Sequence, residues 1–143
     1  MIRIEICDNG CGMSLETLQQ VTNPFFTTRT TRSIGLGIPL FKESVEATGG
    51  YFQIDSRLQK GTKIIGEYVK NHIDTPPMGN LADTMITCIQ YDEKVNYCFH
   101  YQNDDWEFDM NTEDIKALLG DVPINQPEII LWLKDYIKEG MHQ

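Results

Sequence analysis

Long apolar runs are missing from this 143-residue chain, and nothing in it approaches the ~20 apolar residues that a membrane-spanning helix needs. No signal peptide precedes the first strand, so a reducing cytoplasm is the expected home and no membrane partner is expected. Cysteine is sparse. Cys7, Cys11, Cys88 and Cys98 lie too far apart for a Cys-x-x-Cys pair, and no histidine stands at ligand spacing from any of them. Metal binding by thiolates is thereby set aside, no metal ligands are assigned, and the thiols read as reduced. Positive charge is scarce in one half only. Residues 1–70 carry eight Lys and Arg against seven Asp and Glu, and residues 71–143 carry four against fourteen, so the net charge of −9 divides into +1 and −10. The acidic half is not a nucleic-acid surface; it reads as a solvated face or as a docking surface for a basic partner.

What is present is organised around Ile2 to Met13. Ile2, Ile4 and Ile6 alternate with Arg3, Glu5 and Cys7, the period of a strand with one face on a core, and the strand runs into Asp8-Asn9-Gly10-Cys11-Gly12-Met13. A carboxylate thus ends a strand, and two glycines beyond it leave room for a flat ligand. Gly35-Leu36-Gly37-Ile38 then opens a helical segment, whose first N–H groups and positive dipole end are available to a phosphate. Taken singly, each motif reads as an ordinary turn.

Their order and spacing carry more. Asp8-x-Gly10-x-Gly12, then Asn23-Pro24-Phe25-Phe26-Thr27-Thr28-Arg29, then Gly35-Leu36-Gly37-Ile38, then Lys60-Gly61-Thr62 closely resembles the ATP-binding domain of the gyrase, histidine kinase and MutL (GHKL) ATPase superfamily, of the short-lid type found in sensor kinases and anti-sigma-factor serine kinases. The resemblance covers roughly residues 1–70. It implies an α/β (α+β) two-layer sandwich of the histidine-kinase-like (Bergerat) type, with ATP and Mg²⁺ as cofactors. It further implies Asp8 on the adenine amine, Gly10, Gly12 and Met13 along the base, Phe26, Thr28, Arg29 and Arg32 on a lid, Gly35, Leu36, Gly37 and Ile38 at the phosphates, and Thr62 closing the adenine pocket. Family members carry an upstream helix with an Asn for Mg²⁺ and an acidic catalytic residue. No position here matches it, so the domain is expected to be N-terminally incomplete, with Met1 a misplaced start or a cut end, and the catalytic residues are left unassigned.

Ser14 is placed to cap a helix from about Leu15 to Thr22, stopped by Asn23-Pro24. The stretch from Thr27 to Ile34 has no apolar period and many donors, including Arg29 and Arg32, which suits a solvated loop or a nucleotide lid; its place between the Phe pair and Gly35 favours the lid. Pro39 falls in the first turn of a helix that Gly49-Gly50 stops, with Leu40, Phe41, Val45 and Ala47 expected in the core. Tyr51, Phe52 and Ile54 begin a strand that turns at Gln59-Lys60-Gly61 into Thr62 to Tyr68.

His72 to Asn80, with Pro76 and Pro77, reads as a linker, giving an expected domain at 1–70, a linker at 71–80 and a small acidic α+β module at 81–143. In that module the spacing predicts a helix from Leu81, a hairpin of Val95–Tyr101 with Trp106–Met110, a helix capped by Asn111 or Thr112 and ended by Gly120, and a last helix from Pro127 ended by Gly140. The last helix carries so many apolar residues, Ile130, Trp132, Leu133 and Tyr136 among them, that burial on more than one side is expected, against the first domain or another chain. The acidic pairs Asp104-Asp105 and Glu113-Asp114 read as turn and helix-start chemistry, and His100 as a packed or surface residue rather than a phospho-acceptor. The function these readings imply is an ATP-binding module of a histidine-kinase-like ATPase or protein kinase, regulatory in role, with a protein partner or a second copy. The alternative is a non-catalytic nucleotide-sensing or interaction module whose acidic part docks a partner.

Overall fold

The computed structural model describes residues 1–23 and 35–142, which form two compact units, residues 1–77 and 78–143. In the first, β1 (Ile2–Asp8) pairs antiparallel with β3 (Gly61–Tyr68), and β3 with β2 (Tyr51–Arg57), giving the order β1-β3-β2. The alternation read in β1 is matched by register: Ile6 opposes Ile64, Ile4 opposes Gly66, and Phe52 and Ile54 meet the same two positions from β2. One face of the sheet is therefore apolar, as a period of two requires.

Two helices lie in this unit, α1 (Leu15–Gln20) and α2 (Gly37–Ala47). Ser14 caps α1 by accepting from Thr17 N. Helix α2 can lie close to the apolar face because position 66 has no side chain: a Cβ there would stand 2.5 Å from the Phe41 ring and 2.9 Å from Val45 Cγ2. Phe41 meets Phe52 edge-on at 5.8 Å and Tyr68 at 6.2 Å, while Val45 is fully buried, a burial that contributes about 1.5–3 kcal/mol. Phe41, Val45 and Thr48 form the inward stripe. Leu40, expected in the core, is 55% exposed, and Ala47 is exposed as well, because both fall off that stripe.

The opposite face of the sheet is a ladder of ions. Arg3 reaches Glu67 at 2.7 Å and Glu5 at 3.0 Å, and Lys63 reaches Glu5 at 2.8 Å. Lys63 and then Arg3 hold the Glu5 carboxyl down to about 2, from an ordinary 4.5. Such a depressed carboxyl adds stability that is present above pH 4.5 and is lost as pH falls toward about 2.

The second unit contains α3 (Leu81–Tyr91), the hairpin of β4 (Cys98–Gln102) and β5 (Glu107–Asn111), α4 (Thr112–Leu119) and α5 (Pro127–Met141). Asn80 caps α3 through Asp83 N, and Asn111 caps α4 through Glu113 N, which decides between the two candidates for that cap. Ile86 and Ile89 of α3, Phe108 and Met110 of β5, and Leu133 and Ile137 of α5 make the core. Strand β4 begins at Cys98 rather than Val95. The carbonyls of Glu93 and Val95 accept instead from Lys116 Nζ at 2.6 and 3.1 Å, which diverts that stretch from strand pairing.

Helix α5 corrects one expectation. It does not stop at Gly140 but continues to Met141, with His142 at φ 54° as the cap. Gly140 is there for space: a Cβ at this position would lie 2.1 Å from the Phe108 ring. Burial on more than one side is not what its own unit provides, since Ile130, Leu133, Ile137 and Met141 are buried while Leu131 and Trp132 stay 65% and 52% exposed. Trp132 instead stacks on Tyr136 at 5.3 Å, one turn along the same helix.

Two outcomes are expected. In the interior of an exposed helix Gly→Ala stabilises by about 1 kcal/mol, but Gly140→Ala should destabilise the second unit by about 1–3 kcal/mol through the clash with Phe108, read as a lower urea midpoint. In a carboxyl NMR titration Glu5 should show its midpoint near pH 2, and Lys63→Met should return it toward 4.5.

Candidate functional site

Asp8 is the last residue of β1 and stands opposite Thr62 of β3, so the sheet itself brings the first and the last of the sequence boxes side by side. The carboxylate turns the chain at once: Asp8 Oδ1 accepts from Gly10 N at 2.8 Å, an Asx turn that releases the backbone from the ladder. Asp8 is exposed, and among the described residues its other carboxylate oxygen has no protein partner.

The loop that follows is stitched to the β2–β3 turn. Gln59 N donates to Cys11 O at 2.6 Å, and Met13 N donates to Ser56 Oγ at 2.8 Å. Two glycines permit that approach. Gly12 at φ +65° would place a Cβ 1.9 Å from Arg57 O, and Gly61 at φ +100° would place one 1.9 Å from Asp8 O. Both positions need a left-handed backbone and empty space at once, so no other residue serves. Ser56 is the hub. Its hydroxyl donates to Gly61 O at 3.0 Å and lies 2.9 Å from Thr62 Oγ1, so it orients the threonine next to Asp8. Sequence reasoning passed over Ser56, and only the pairing Ser56↔Thr62 reveals its role.

Gly35, Leu36, Gly37 and Ile38 stand at the start of α2. Leu36 is the N-cap residue and makes no side-chain cap hydrogen bond, and the first turn has no acidic residue. The first N–H groups of the helix stand at the positive end of its dipole. Phe26, Thr28, Arg29 and Arg32, with Phe25 and Thr27, lie outside the described residues. A cleft of about 400 Å³ runs along α2, lined by Thr22, Pro39, Lys42, Glu43, Glu46 and Ala47, none of which belongs to the boxes. The thiol of Cys7, one residue before Asp8, is pushed up by partial desolvation and by the Glu5 carboxylate, which keeps it protonated and a poor nucleophile. None of the cysteines forms a disulfide.

A strand end with a carboxylate, a threonine beside it and the N-terminus of a helix offer donors and acceptors of the kind a nucleotide can use. The family model of the histidine kinase-, DNA gyrase B- and HSP90-like ATPases matches residues 1–90, and the chain belongs to that family. Its α/β fold is the one this family implies. The chain is 45% identical over 65 residues to a putative sensor protein of Shewanella frigidimarina, a match that covers 45% of this chain and 10% of that protein. It is 36% identical over 59 residues to the sensor kinase CckA of Brucella abortus, covering 41% and 6%, and 36% identical over 61 residues to sporulation kinase D of Bacillus subtilis, covering 43% and 12%. The chain thus spans about a tenth of the length of these relatives. Among the described residues no helix is long and apolar enough to cross a membrane.

Ser56→Ala removes the acceptor of Met13 N and the donor to Gly61 O together. It should cost about 1–3 kcal/mol, visible as a lower thermal midpoint and as faster amide exchange at Met13. A variant whose Met13 exchange is unchanged would show that the loop is held without the hydroxyl.

Proposed function

We propose that residues 1–70 are the ATP- and ADP-binding part of a regulatory histidine-kinase-like protein, with 71–80 a linker and 81–143 an acidic module that docks a protein partner or a second copy in the cytoplasm. The observation that carries this is the Asp8 carboxylate, which among the described residues keeps one oxygen without a protein partner while Gly10 N holds the other. That free oxygen suits the amine of adenine. Gly10, Gly12 and Met13 would flank the base, and Thr62, set by Ser56, would close the pocket. The start of α2 at Gly35, Leu36, Gly37 and Ile38 fits phosphate oxygens, and Phe26, Thr28, Arg29 and Arg32 would form the lid. Mg²⁺ on the phosphates would neutralise their charge, as in phosphoryl transfer generally.

A second reading is favoured by the exposed Leu131 and Trp132 of α5: a non-catalytic nucleotide-sensing module that uses its acidic part for interaction. Phosphate release by the nucleotide-bound chain separates the two.

Guanine presents a carbonyl where adenine presents its amine, so ATP and ADP should bind and GTP should not. Asp8→Asn should weaken ADP by about one to two decades in titration calorimetry, the equivalent of about 1–3 kcal/mol. Equal affinity for ATP and GTP would overturn the adenine assignment. Replacing Arg29 and Arg32 together by Ala should weaken ATP more than adenosine, and added salt should shrink the difference. Equal losses for both ligands would mean that the arginines only shape the loop.

A further inference from the structure

The hairpin of the second unit carries a cluster of side chains that nucleotide binding leaves unused. The β4–β5 register sets His100 opposite Asp109, and Glu107 precedes Asp109 by two residues on the same outward face of β5. The intervening positions turn inward: Phe108 and Met110 are buried, and Phe108 meets Phe99 edge-on at 6.2 Å. The outward face is thus mounted on a packed platform. His100 Nδ1 lies 2.8 Å from Asp109 Oδ1 and 3.9 Å from Glu107 Oε1, and one ligand atom from each of the three gathers within 4.8 Å.

Charge supplies a second, independent observation. Among the described residues the only cationic group that reaches Glu107 or Asp109 is the His100 imidazole. Residues 78–142 hold four lysines and no arginine against thirteen carboxylate side chains. Of those lysines, Lys116 is taken up by backbone carbonyls and Lys134 by Asp83 at 2.6 Å. The two carboxylates therefore face the solvent with half a counter-charge at most.

We propose that His100, Glu107 and Asp109 form a surface site for a divalent first-row transition ion of the zinc class, supplying one imidazole nitrogen and two carboxylate oxygens, with water completing the coordination. An imidazole with two carboxylates suits zinc and its neighbours, whereas magnesium and calcium take oxygen alone. The spacing agrees. Ligand atoms ~2.1 Å from a tetrahedral ion stand ~3.4 Å from one another, and the observed 2.8 and 3.9 Å bracket that figure, within reach of small side-chain rotations.

The test is a titration of the full chain with zinc chloride, in excess Mg²⁺ to occupy oxygen-only sites, followed by NMR of the histidine rings and backbone amides. The expected result is one saturable site whose first shifts fall on the His100 ring and on residues 98–111. His100→Ala should weaken zinc by about tenfold or more, since even partners outside the coordination sphere cost about 10–100-fold when lost. Glu107→Gln and Asp109→Asn should each weaken it in the same direction, with the Phe108 ring signals unmoved, as these side chains are exposed. Cys98→Ser, on the same face of the hairpin, should leave the affinity unchanged. Zinc that binds His100→Ala as tightly as the parent chain, loss of binding in Cys98→Ser, or no shift in the hairpin at millimolar zinc would each overturn the proposal.

Discussion

The pairing of β1 with β3 is the constraint on which the first unit depends. It places Asp8 opposite Thr62, and it works only because Gly12 and Gly61 let two stretches of backbone touch where any side chain would stand 1.9 Å from a carbonyl oxygen. Around that contact the rest is secondary. Ser56 fastens the loop with one hydroxyl used as both donor and acceptor, and Gln59 adds a backbone bond to Cys11. A half-buried hydroxyl used twice matters more than one used once, because losing it leaves two partners unsatisfied.

The same sheet separates two kinds of chemistry by the alternation of its strands. One face is apolar and takes Phe41 and Val45 of α2 over Gly66; the other carries Arg3, Glu5, Lys63 and Glu67 in exposed ion pairs. Exposed pairs add little stability individually, so the ladder serves chiefly to keep the strand register and a soluble outer face. The candidate ligand-binding groups sit at neither place but at the end of β1 and the start of α2, where the regular backbone hydrogen bonding of each element ends.

The second unit solves a different problem, that of building a core in a chain segment with a large excess of negative charge. It spends its few cations on backbone carbonyls and on one cross-helix pair, and lets Asn80 and Asn111 cap the helices. Its aromatic residues do the packing, with Phe108 between Phe99, Tyr136 and the bare Cα of Gly140. The Trp106 indole N–H, which donates to Gly140 O, secures the end of α5 against the hairpin.

Strands and helices with a clear period were legible in the chain alone: β1 from its alternating isoleucines, α1 from Ser14, the β2–β3 hairpin, and α3 to α5 from caps and spacing. So was the family, because boxes of short-range chemistry keep their residues whatever surrounds them. What the sequence could not determine depended on contacts between residues far apart. Gly140 reads as a helix stop until Phe108 is placed beside it, and Leu40 reads as core until Phe41, Val45 and Thr48 claim the stripe that faces the sheet. Ser56 has no signature at all before β2 meets β3, and His100 becomes one of three converging groups only through strand register. Local propensity is written in neighbouring residues and can be read from them; which side chains share a small volume is decided by pairing across the sheet and by packing, and that only the tertiary structure decided.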